Sequence, residues 1–119
     1  LPFGNNFFDA AIFVSVLQCV QTKGKREESL KELFRVLKPK AEVYVSVWDL
    51  NQDGFESKEA FVPWKHDGKE YLRYYYLYDK KEFLDLIKSV GFEISGAWDS
   101  ESPNGLYSKK NIVAVVGKP

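Results

Sequence analysis

A nearly unbroken apolar run at residues 10–17 does most to limit the folds open to this chain, because it is typical of a strand covered on both faces. Residues 25–38 then carry leucine or phenylalanine at i, i+3, i+4 and i+7, which predicts a helix that ends at Pro39. Val43 to Trp48 is rich in β-branched and aromatic residues and is predicted as a second strand. Because a strand–helix–strand unit with short links forms a right-handed crossover, we expect these two strands to be parallel.

The remainder of the chain continues the same kind of pattern. Asp79 is predicted to cap a second helix, with Glu82 completing a capping box and Gly91 ending the helix. Residues 92–98 and 111–116 are predicted as strands, joined by a hairpin loop at 100–109, so the last strand returns antiparallel. We therefore expect one α/β domain over 1–119: a Rossmann-like mixed sheet of about four strands ending in an antiparallel hairpin, with two main helices.

The first strand is predicted to lack a second neighbour. It is apolar enough to be central, yet this chain offers only the second strand to pair with it. An unpaired apolar edge is a docking or aggregation surface. The chain contains no methionine and begins at Leu1, so we expect it to be part of a longer protein. The edge would then be covered by a preceding half, by a second chain or by self-pairing.

Composition excludes several classes of function. Lys+Arg and Asp+Glu are both 17, so the molecule as a whole is not a polyanion binder, and nucleic-acid contact requires a local patch. No apolar run reaches the roughly 18 residues of a membrane span. The single cysteine, Cys19, excludes an internal disulfide, fits a cytoplasmic location and is expected to be a small buried hydrophobe. One histidine and one cysteine do not make a metal site.

Residues 50–78 are predicted as an insertion that closes over a substrate. The segment 59–78 is long, aromatic and cationic, and it has no clear period of its own. A connection of more than about 12–15 residues without regular structure is usually functional or disordered, and this one is too aromatic to be disordered. Two structural alternatives remain open: Pro63 and Trp64 anchor the segment on the core, or residues 74–78 form an edge strand with alternate residues buried.

Two groups of residues carry a resemblance to a known family. Leu1–Pro2–Phe3, then Phe8–Asp9–Ala10–Ala11, the apolar strand, and a helix followed by Lys38–Pro39 resemble the second half of class I S-adenosylmethionine-dependent methyltransferases. Phe61–Val62–Pro63–Trp64–Lys65 followed by Arg73–Tyr74–Tyr75–Tyr76 resembles the wobble-uridine tRNA methyltransferases, including the methyltransferase domain of the AlkB-homologue tRNA enzyme. Those enzymes esterify carboxymethyluridine at the wobble position of the anticodon.

The resemblance implies a function and a set of site residues. The chain would be a fragment of a tRNA wobble-uridine methyltransferase that uses S-adenosylmethionine and recognises the anticodon loop. Arg73 and Tyr75 would be catalytic, Arg73 by orienting a carboxylate. Together with these two, Trp64, Lys65 and Tyr74 would bind substrate, the aromatic rings by stacking an extruded base. By analogy, the cofactor's adenine would be bordered by residues at the carboxyl end of the first strand, Leu17 and Gln18.

Departures from the family pattern keep other functions open. Gln18 and Cys19 stand where the family usually has two histidines, Lys40–Ala41 where it has a double glycine, and Tyr76 where it has histidine. The glycine-rich loop and the acidic residue that hold the cofactor are absent, so we expect the isolated chain to bind S-adenosylmethionine poorly and to be inactive. A truncated, non-catalytic RNA- or protein-binding module and a small-molecule methyltransferase are the alternatives. Expected partners are a small zinc-binding activator subunit and a second copy paired through the first strand.

Overall fold

Four strands form one mixed sheet in a computed structural model that describes residues 1–52, 55–101 and 110–119. The elements are β1 (Phe8–Val14), a 3-10 turn (Leu17–Cys19), α1 (Lys23–Val36), β2 (Leu37–Trp48), β3 (Glu59–His66), β4 (Lys69–Tyr76), α2 (Lys80–Val90), β5 (Glu93–Glu101) and β6 (Lys110–Gly117). The sheet order is β1-β2-β6-β5; β1 and β2 are parallel, whereas β6 is antiparallel to both β2 and β5. The predicted α/β fold, with its parallel crossover and antiparallel end, is confirmed.

Both helices cover the same face of this sheet. Leu30 and Leu33 of α1 and Phe83 and Ile87 of α2 belong to one buried cluster, and the two helices contact each other. Burial of apolar surface stabilises this layer by roughly 25 cal/mol per Å². The strand residues in the cluster alternate along the sequence, as expected when one face of each strand points to the helices. They are Val43, Val45, Val47, Ile112, Ala114 and Val116.

The opposite face of the sheet is exposed over much of its area. Ile12 is 79% exposed and Val14 46%; on the same face, Tyr44 of β2 and Trp98 of β5 are 39% and 44% exposed. The prediction that the first strand is covered on both faces is therefore wrong for the described residues, because no helix among them lies on this face. The prediction that this strand has a single neighbour is confirmed there, since β1 is an edge strand paired with β2 alone.

The first helix ends earlier than predicted. It runs from Lys23 to Val36 rather than to Lys38, and Pro39 lies inside β2 instead of ending the helix. Thr22 caps its start by accepting a hydrogen bond from the Lys25 N–H at 3.3 Å. Lys118 closes its end, because its ammonium donates to the carbonyl oxygens of Phe34 and Leu37 at 2.9 and 2.8 Å. A cation at this end of a helix also complements the helix dipole.

The second helix has the predicted ends. Asp79 caps it by accepting from the Glu82 N–H at 2.8 Å, and Gly91 at the C-terminal cap has a φ of 120° that other residues rarely adopt. The capping box is not formed as predicted, because the Glu82 carboxylate accepts hydrogen bonds from Tyr76 and Lys58.

Residues 59–76 form a β-hairpin, so the prediction of an irregular lid is wrong in its structure. Strands β3 and β4 pair in register from Glu59 opposite Tyr76 to His66 opposite Lys69. Between them stands a two-residue turn, Asp67–Gly68, with φ values of 49° and 73°, the combination that favours a tight hairpin. The alternative of a strand over residues 74–78 is confirmed only for residues 74–76, because β4 ends at Tyr76. The hairpin is a separate two-stranded sheet.

Two further points complete the fold. The predicted hairpin loop begins in β5, and its central part, residues 102–109, lies outside the described residues. Neither α1 nor α2 is long and apolar enough to cross a membrane.

Candidate functional site

The hairpin is fixed to the carboxyl end of β2. Trp48 accepts a backbone hydrogen bond from Tyr78 at 3.3 Å, and Leu50 donates one to Tyr78 at 2.9 Å. The Leu77 N–H donates to the carbonyl of Lys58 at 2.6 Å and so closes the base of the hairpin. Strand β4 also contacts the 3-10 turn that follows β1. The hairpin therefore lies against the carboxyl ends of the two parallel strands, where open α/β sheets bind ligands.

Tyr75 anchors the hairpin. Its ring is 3% exposed and stacks on Trp48 with centroids 4.3 Å apart and planes inclined by 23°. Leu77 completes this buried cluster, which half-buried side chains of the hairpin and the preceding loop surround. This packing leaves almost no surface of Tyr75 for an incoming base, so the predicted stacking of substrate on Tyr75 does not fit the structure. The side chain belongs to the support of the site.

Arg73, which is exposed, and Trp64, which is half-buried, form the accessible part of the site. Arg73 is exposed, and its guanidinium carbon lies 4.4 Å from the centroid of the Trp64 ring, a cation–π contact that orients the guanidinium plane. The Arg73 charge also reaches Cys19 in the 3-10 turn: neighbouring atoms partly desolvate the sulfur and raise the pKa of the Cys19 thiol, although the residue as a whole is exposed, and Arg73 opposes that rise. The structure thus brings Arg73 and Trp64 together beside the end of β1. Cys19 is exposed, so the expectation that it is a buried hydrophobe is wrong.

Tyr74 and Lys65 differ in whether their polar groups are free to contact a substrate. Tyr74 is half-buried; its hydroxyl accepts a hydrogen bond from Arg26 at 3.3 Å, and its ring meets Phe61 edge-on at 5.7 Å. Lys65 is exposed near the hairpin tip, opposite Glu70 in the strand register. Lys65 is thus open to a phosphate, whereas the polar end of Tyr74 is already occupied.

Leu17 and Gln18, the residues predicted to border the cofactor, are buried at 0% and 1% exposure. The Gln18 amide is used at both ends: its nitrogen donates to the Ser15 carbonyl and its oxygen accepts from the Trp48 N–H, each at 3.2 Å. It therefore ties the end of β1 to β2. The exposed apolar side chains at this end are Val14 and Val16, at 46% and 44%. Both side chains are purely apolar and offer no hydrogen-bonding group to a ribose or an amino-acid carboxylate.

A buried arginine supports the hairpin from the helix side. Arg26 is 5% exposed; Nη1 donates to the Val20 carbonyl at 2.9 Å, and the guanidinium carbon lies 4.0 Å from the Tyr76 ring centroid. The Tyr76 hydroxyl donates to Glu82 at 2.8 Å, and burial together with that carboxylate raises the Tyr76 pKa. A charged residue at the start of a helix is usually solvated, whereas Arg26 is buried. Its position four residues before Leu30 on the apolar stripe was the available signal.

Curated proteins with similar sequences are methyltransferases. A family model described as a methyltransferase domain matches residues 1–45. The probable tRNA methyltransferase 9B of Mus musculus is 38% identical over 66 residues, which are 54% of this chain and 15% of that protein. The tRNA (carboxymethyluridine(34)-5-O)-methyltransferase of Arabidopsis thaliana is 40% identical over 63 residues, 53% of this chain and 16% of that protein. A putative methyltransferase of Encephalitozoon cuniculi is 30% identical over 105 residues, 79% of this chain and 49% of that protein.

Solved structures share the fold. A protein of Methanosarcina mazei described as a SAM-dependent methyltransferase superimposes with a TM-score of 0.84 at 23% identity, covering 99% of this chain and 62% of that one. The expected resemblance is therefore confirmed: the chain has part of the class I methyltransferase fold and resembles the wobble-uridine tRNA methyltransferases in sequence. It spans half or less of the length of the curated relatives described here.

Proposed function

We propose that this chain is part of an S-adenosylmethionine-dependent methyltransferase that esterifies a carboxymethylated wobble uridine in tRNA. One observation carries the proposal: the hairpin holds an exposed arginine, Arg73, stacked on Trp64 beside the carboxyl end of β1. Further support comes from the printed activity of the similar Arabidopsis protein. A cytoplasmic location and the anticodon loop as substrate belong to the same proposal.

Methylation of a carboxylate requires the protein mainly to position the two reactants. A carboxylate is already an anion at neutral pH, so its methylation needs no general base. The cofactor, when bound, supplies an electrophilic methyl group on sulfur. The task left to this chain is to hold the carboxylate oxygen in line with that group and to exclude water. Arg73 suits this task because its planar guanidinium donates two parallel hydrogen bonds to a carboxylate.

The remaining residues have supporting roles in this proposal. Trp64 restricts the orientation of Arg73 and presents its ring to the base, and Lys65 near the hairpin tip meets an anticodon phosphate. Tyr75 and Tyr74 hold the hairpin in place, Tyr75 through Trp48 and Tyr74 through Arg26. Of the cofactor, the described residues would contact only the adenine, through the apolar side chains of Val14 and Val16 at the end of β1.

A non-catalytic binding module is the second candidate. The observation that favours it is the buried state of Leu17 and Gln18, which leaves few side-chain atoms for a cofactor. Such a module would bind RNA through the hairpin, or a partner such as a second copy or a small zinc-binding activator through β1. The exposure of Ile12 and the single neighbour of β1 support a partner there. A small-molecule methyltransferase is the third candidate, and its activity would not depend on RNA.

Methyl transfer by the full translation product of the gene tests the proposal. The assay supplies isotope-labelled S-adenosylmethionine and tRNA with or without carboxymethyluridine at the wobble position, and it measures alkali-labile label. We expect label only on the modified tRNA. Arg73→Lys should lower kcat/KM at least about tenfold, because one point charge replaces a bidentate contact. Lys31→Ala, an exposed change on α1, is the control and should leave activity unchanged.

The outcomes separate the candidates. Tight RNA binding without methyl transfer would favour the non-catalytic module, and methylation of small acceptors without RNA would favour the third candidate. Equal activity of wild type and Arg73→Lys would remove Arg73 from the site. Calorimetric titration of the present chain with S-adenosylhomocysteine completes the comparison, and we expect binding weaker than micromolar because the described residues offer contacts to the adenine alone.

A further inference from the structure

The two faces of the hairpin differ in composition. Residues directly opposite each other in an antiparallel pair point to the same side, and successive residues along a strand alternate between the two sides. The register therefore defines a first face, which bears the exposed Arg73, and a second face behind it. From base to tip, the first face carries Ala60 and Tyr75, Val62 and Arg73, Trp64 and Tyr71, and His66 and Lys69. The second face carries Glu59 and Tyr76, Phe61 and Tyr74, Pro63 and Leu72, and Lys65 and Glu70.

The first face is cationic. Arg73 and Lys69 are exposed, and neither forms an ion pair with a residue that the structure describes. Both acidic residues of the two strands lie on the second face. Asp67 of the turn lies 3.4 Å from His66, so the net positive charge of the first face comes from Arg73 and Lys69. This separation of charge favours contact between the first face and a polyanion.

Tyr71 places an aromatic ring between the two cations. Arg73, Tyr71 and Lys69 occupy every second position of β4, with consecutive members about 7 Å apart at the rise of an antiparallel strand. Tyr71 is 50% exposed and lies opposite Trp64 in the register. Proteins bind single-stranded RNA with this combination, because bases stack on exposed rings and cations contact the phosphates.

We propose that the first face holds the nucleotide next to the wobble uridine. The Tyr71 ring stacks on its base and the Lys69 ammonium contacts its phosphate, while Arg73 binds the carboxylate of the wobble base. This inference rests on the proposed RNA substrate and adds a contact at the next residue pair toward the tip. Because stacking accepts any base, the contact adds affinity without selecting the neighbouring base. Lys65 belongs to the second face, and its proposed phosphate contact is separate from this one.

Truncation of Tyr71 in the full translation product tests the stacking contact. Fluorescence anisotropy measures binding of an anticodon stem-loop RNA that carries carboxymethyluridine. Tyr71→Ala should weaken binding at least about fivefold, the smallest effect usual for one stacked base, whereas Tyr71→Phe keeps the ring and should bind like the wild type. Leu72→Ala is the matched control: Leu72 is adjacent, 67% exposed and on the second face, so affinity should not change. Both side chains are exposed, so neither truncation should disturb the fold.

Removal of the partner base gives a readout that a merely structural role of Tyr71 would not move. The RNA carries an abasic residue immediately before or immediately after the wobble uridine. At one of these two positions it should weaken binding by the wild type at least about fivefold and leave binding by Tyr71→Ala unchanged, because the stacking contact is already lost.

The salt dependence of binding tests Lys69. Lys69→Ala should weaken binding and reduce the slope of log affinity against log salt by about 0.7, the value for one phosphate of a single strand. Lys31→Ala, an exposed lysine of α1, is the matched control and should keep the wild-type slope.

The outcomes separate this inference from the proposed methyl transfer. Tyr71→Ala should weaken binding of the modified and the unmodified RNA by the same factor, because Arg73 alone contacts the carboxylate. Equal affinity of the wild type for both RNAs, with the Tyr71 and Lys69 effects retained, would count against the proposed function and support the RNA-binding face. The inference is overturned if the RNA does not bind saturably, if Tyr71→Ala and Leu72→Ala have equal effects, if neither abasic residue removes the effect of Tyr71→Ala, or if Lys69→Ala keeps the wild-type slope.

Discussion

Replacement of Tyr75 separates an anchoring role from a catalytic one. The ring is 3% exposed and stacks on Trp48, so Tyr75→Ala removes both an aromatic core side chain and the stacking contact that joins the hairpin to β2. Tyr75→Phe keeps the ring and removes only the hydroxyl. If Tyr75 is an anchor, Tyr75→Phe should keep stability and activity, whereas Tyr75→Ala should lose stability. If its hydroxyl is catalytic, both variants should lose activity.

The expected loss of stability in Tyr75→Ala follows from the burial of the ring. Truncation of a buried aromatic residue to alanine typically costs about 3–5 kcal/mol in the free energy of unfolding. Domains of this kind have total stabilities of roughly 5–15 kcal/mol, so the loss is a large share of the whole. For a chain of this length it corresponds to a Tm lowered by about 10–20 °C. We expect Tyr75→Phe to stay within about 1 kcal/mol of the wild type, because the stacked area is unchanged.

Urea denaturation followed by circular dichroism measures both variants, and amide hydrogen exchange shows whether β3 and β4 lose protection in Tyr75→Ala. Methyl transfer is then compared for wild type and Tyr75→Phe. An unfolding free energy of Tyr75→Ala within about 1 kcal/mol of the wild type would refute the anchor. A stable Tyr75→Phe that has lost methyl transfer would restore the catalytic role predicted from the sequence.

Three other changes test the supports of the site. In urea denaturation, Arg26→Gln should lower the unfolding free energy by about 2–4 kcal/mol, because it removes a charged hydrogen bond and the cation–π contact with Tyr76. Tyr74→Phe removes only the hydroxyl that accepts from Arg26, so it should lower the unfolding free energy by about 0.5–1.5 kcal/mol. Gln18→Leu should cost about 1–3 kcal/mol, because the buried Trp48 N–H loses its acceptor; a neutral result would mean that Gln18 does not tie β1 to β2. Burial raises the pKa of Tyr78 from its ordinary value of 10.0 to about 12, so the stability that the neutral phenol contributes is present below pH 10 and is lost as the pH rises from 10 to about 12. Tyr78→Phe should therefore flatten the alkaline decline in stability, measured by urea denaturation from pH 8 to pH 12, and an unchanged decline would contradict the assigned pKa.

Periodicity in the sequence was enough to predict the sheet and its two helices. The apolar run of β1, the stripe of α1 and the cap at Asp79 are local signals, and local signals determine these elements. Helix α1 ended early because β2 extends back to Leu37 and pairs with Phe8, a long-range contact that no local pattern reveals. The exposure of Ile12 has the same origin, since apolar character does not say which elements cover a face.

The hairpin was missed because two signals in it conflict. Asp67–Gly68 favours a tight turn between paired strands, whereas Pro63 argues against a strand. Pro63 is accommodated because β3 is half of a two-stranded sheet and has an unpaired side. The contact between Arg73 and Trp64 follows from that pairing, because Val62 lies opposite Arg73 and places Trp64 diagonally across from it. Arg26 was missed because charged residues at helix starts are usually solvated.

The most direct test of the central claim is the affinity of this chain for an anticodon stem-loop RNA with carboxymethyluridine at the wobble position, compared with the same RNA carrying uridine. Fluorescence anisotropy at fixed salt measures both, since phosphate contacts make affinity depend on salt. If Arg73 binds the carboxylate, the modified RNA should bind at least about tenfold more tightly, and Arg73→Lys should remove most of that difference. Equal affinity for the two RNAs in the wild-type chain would contradict the assignment of the hairpin as the element that recognises the substrate.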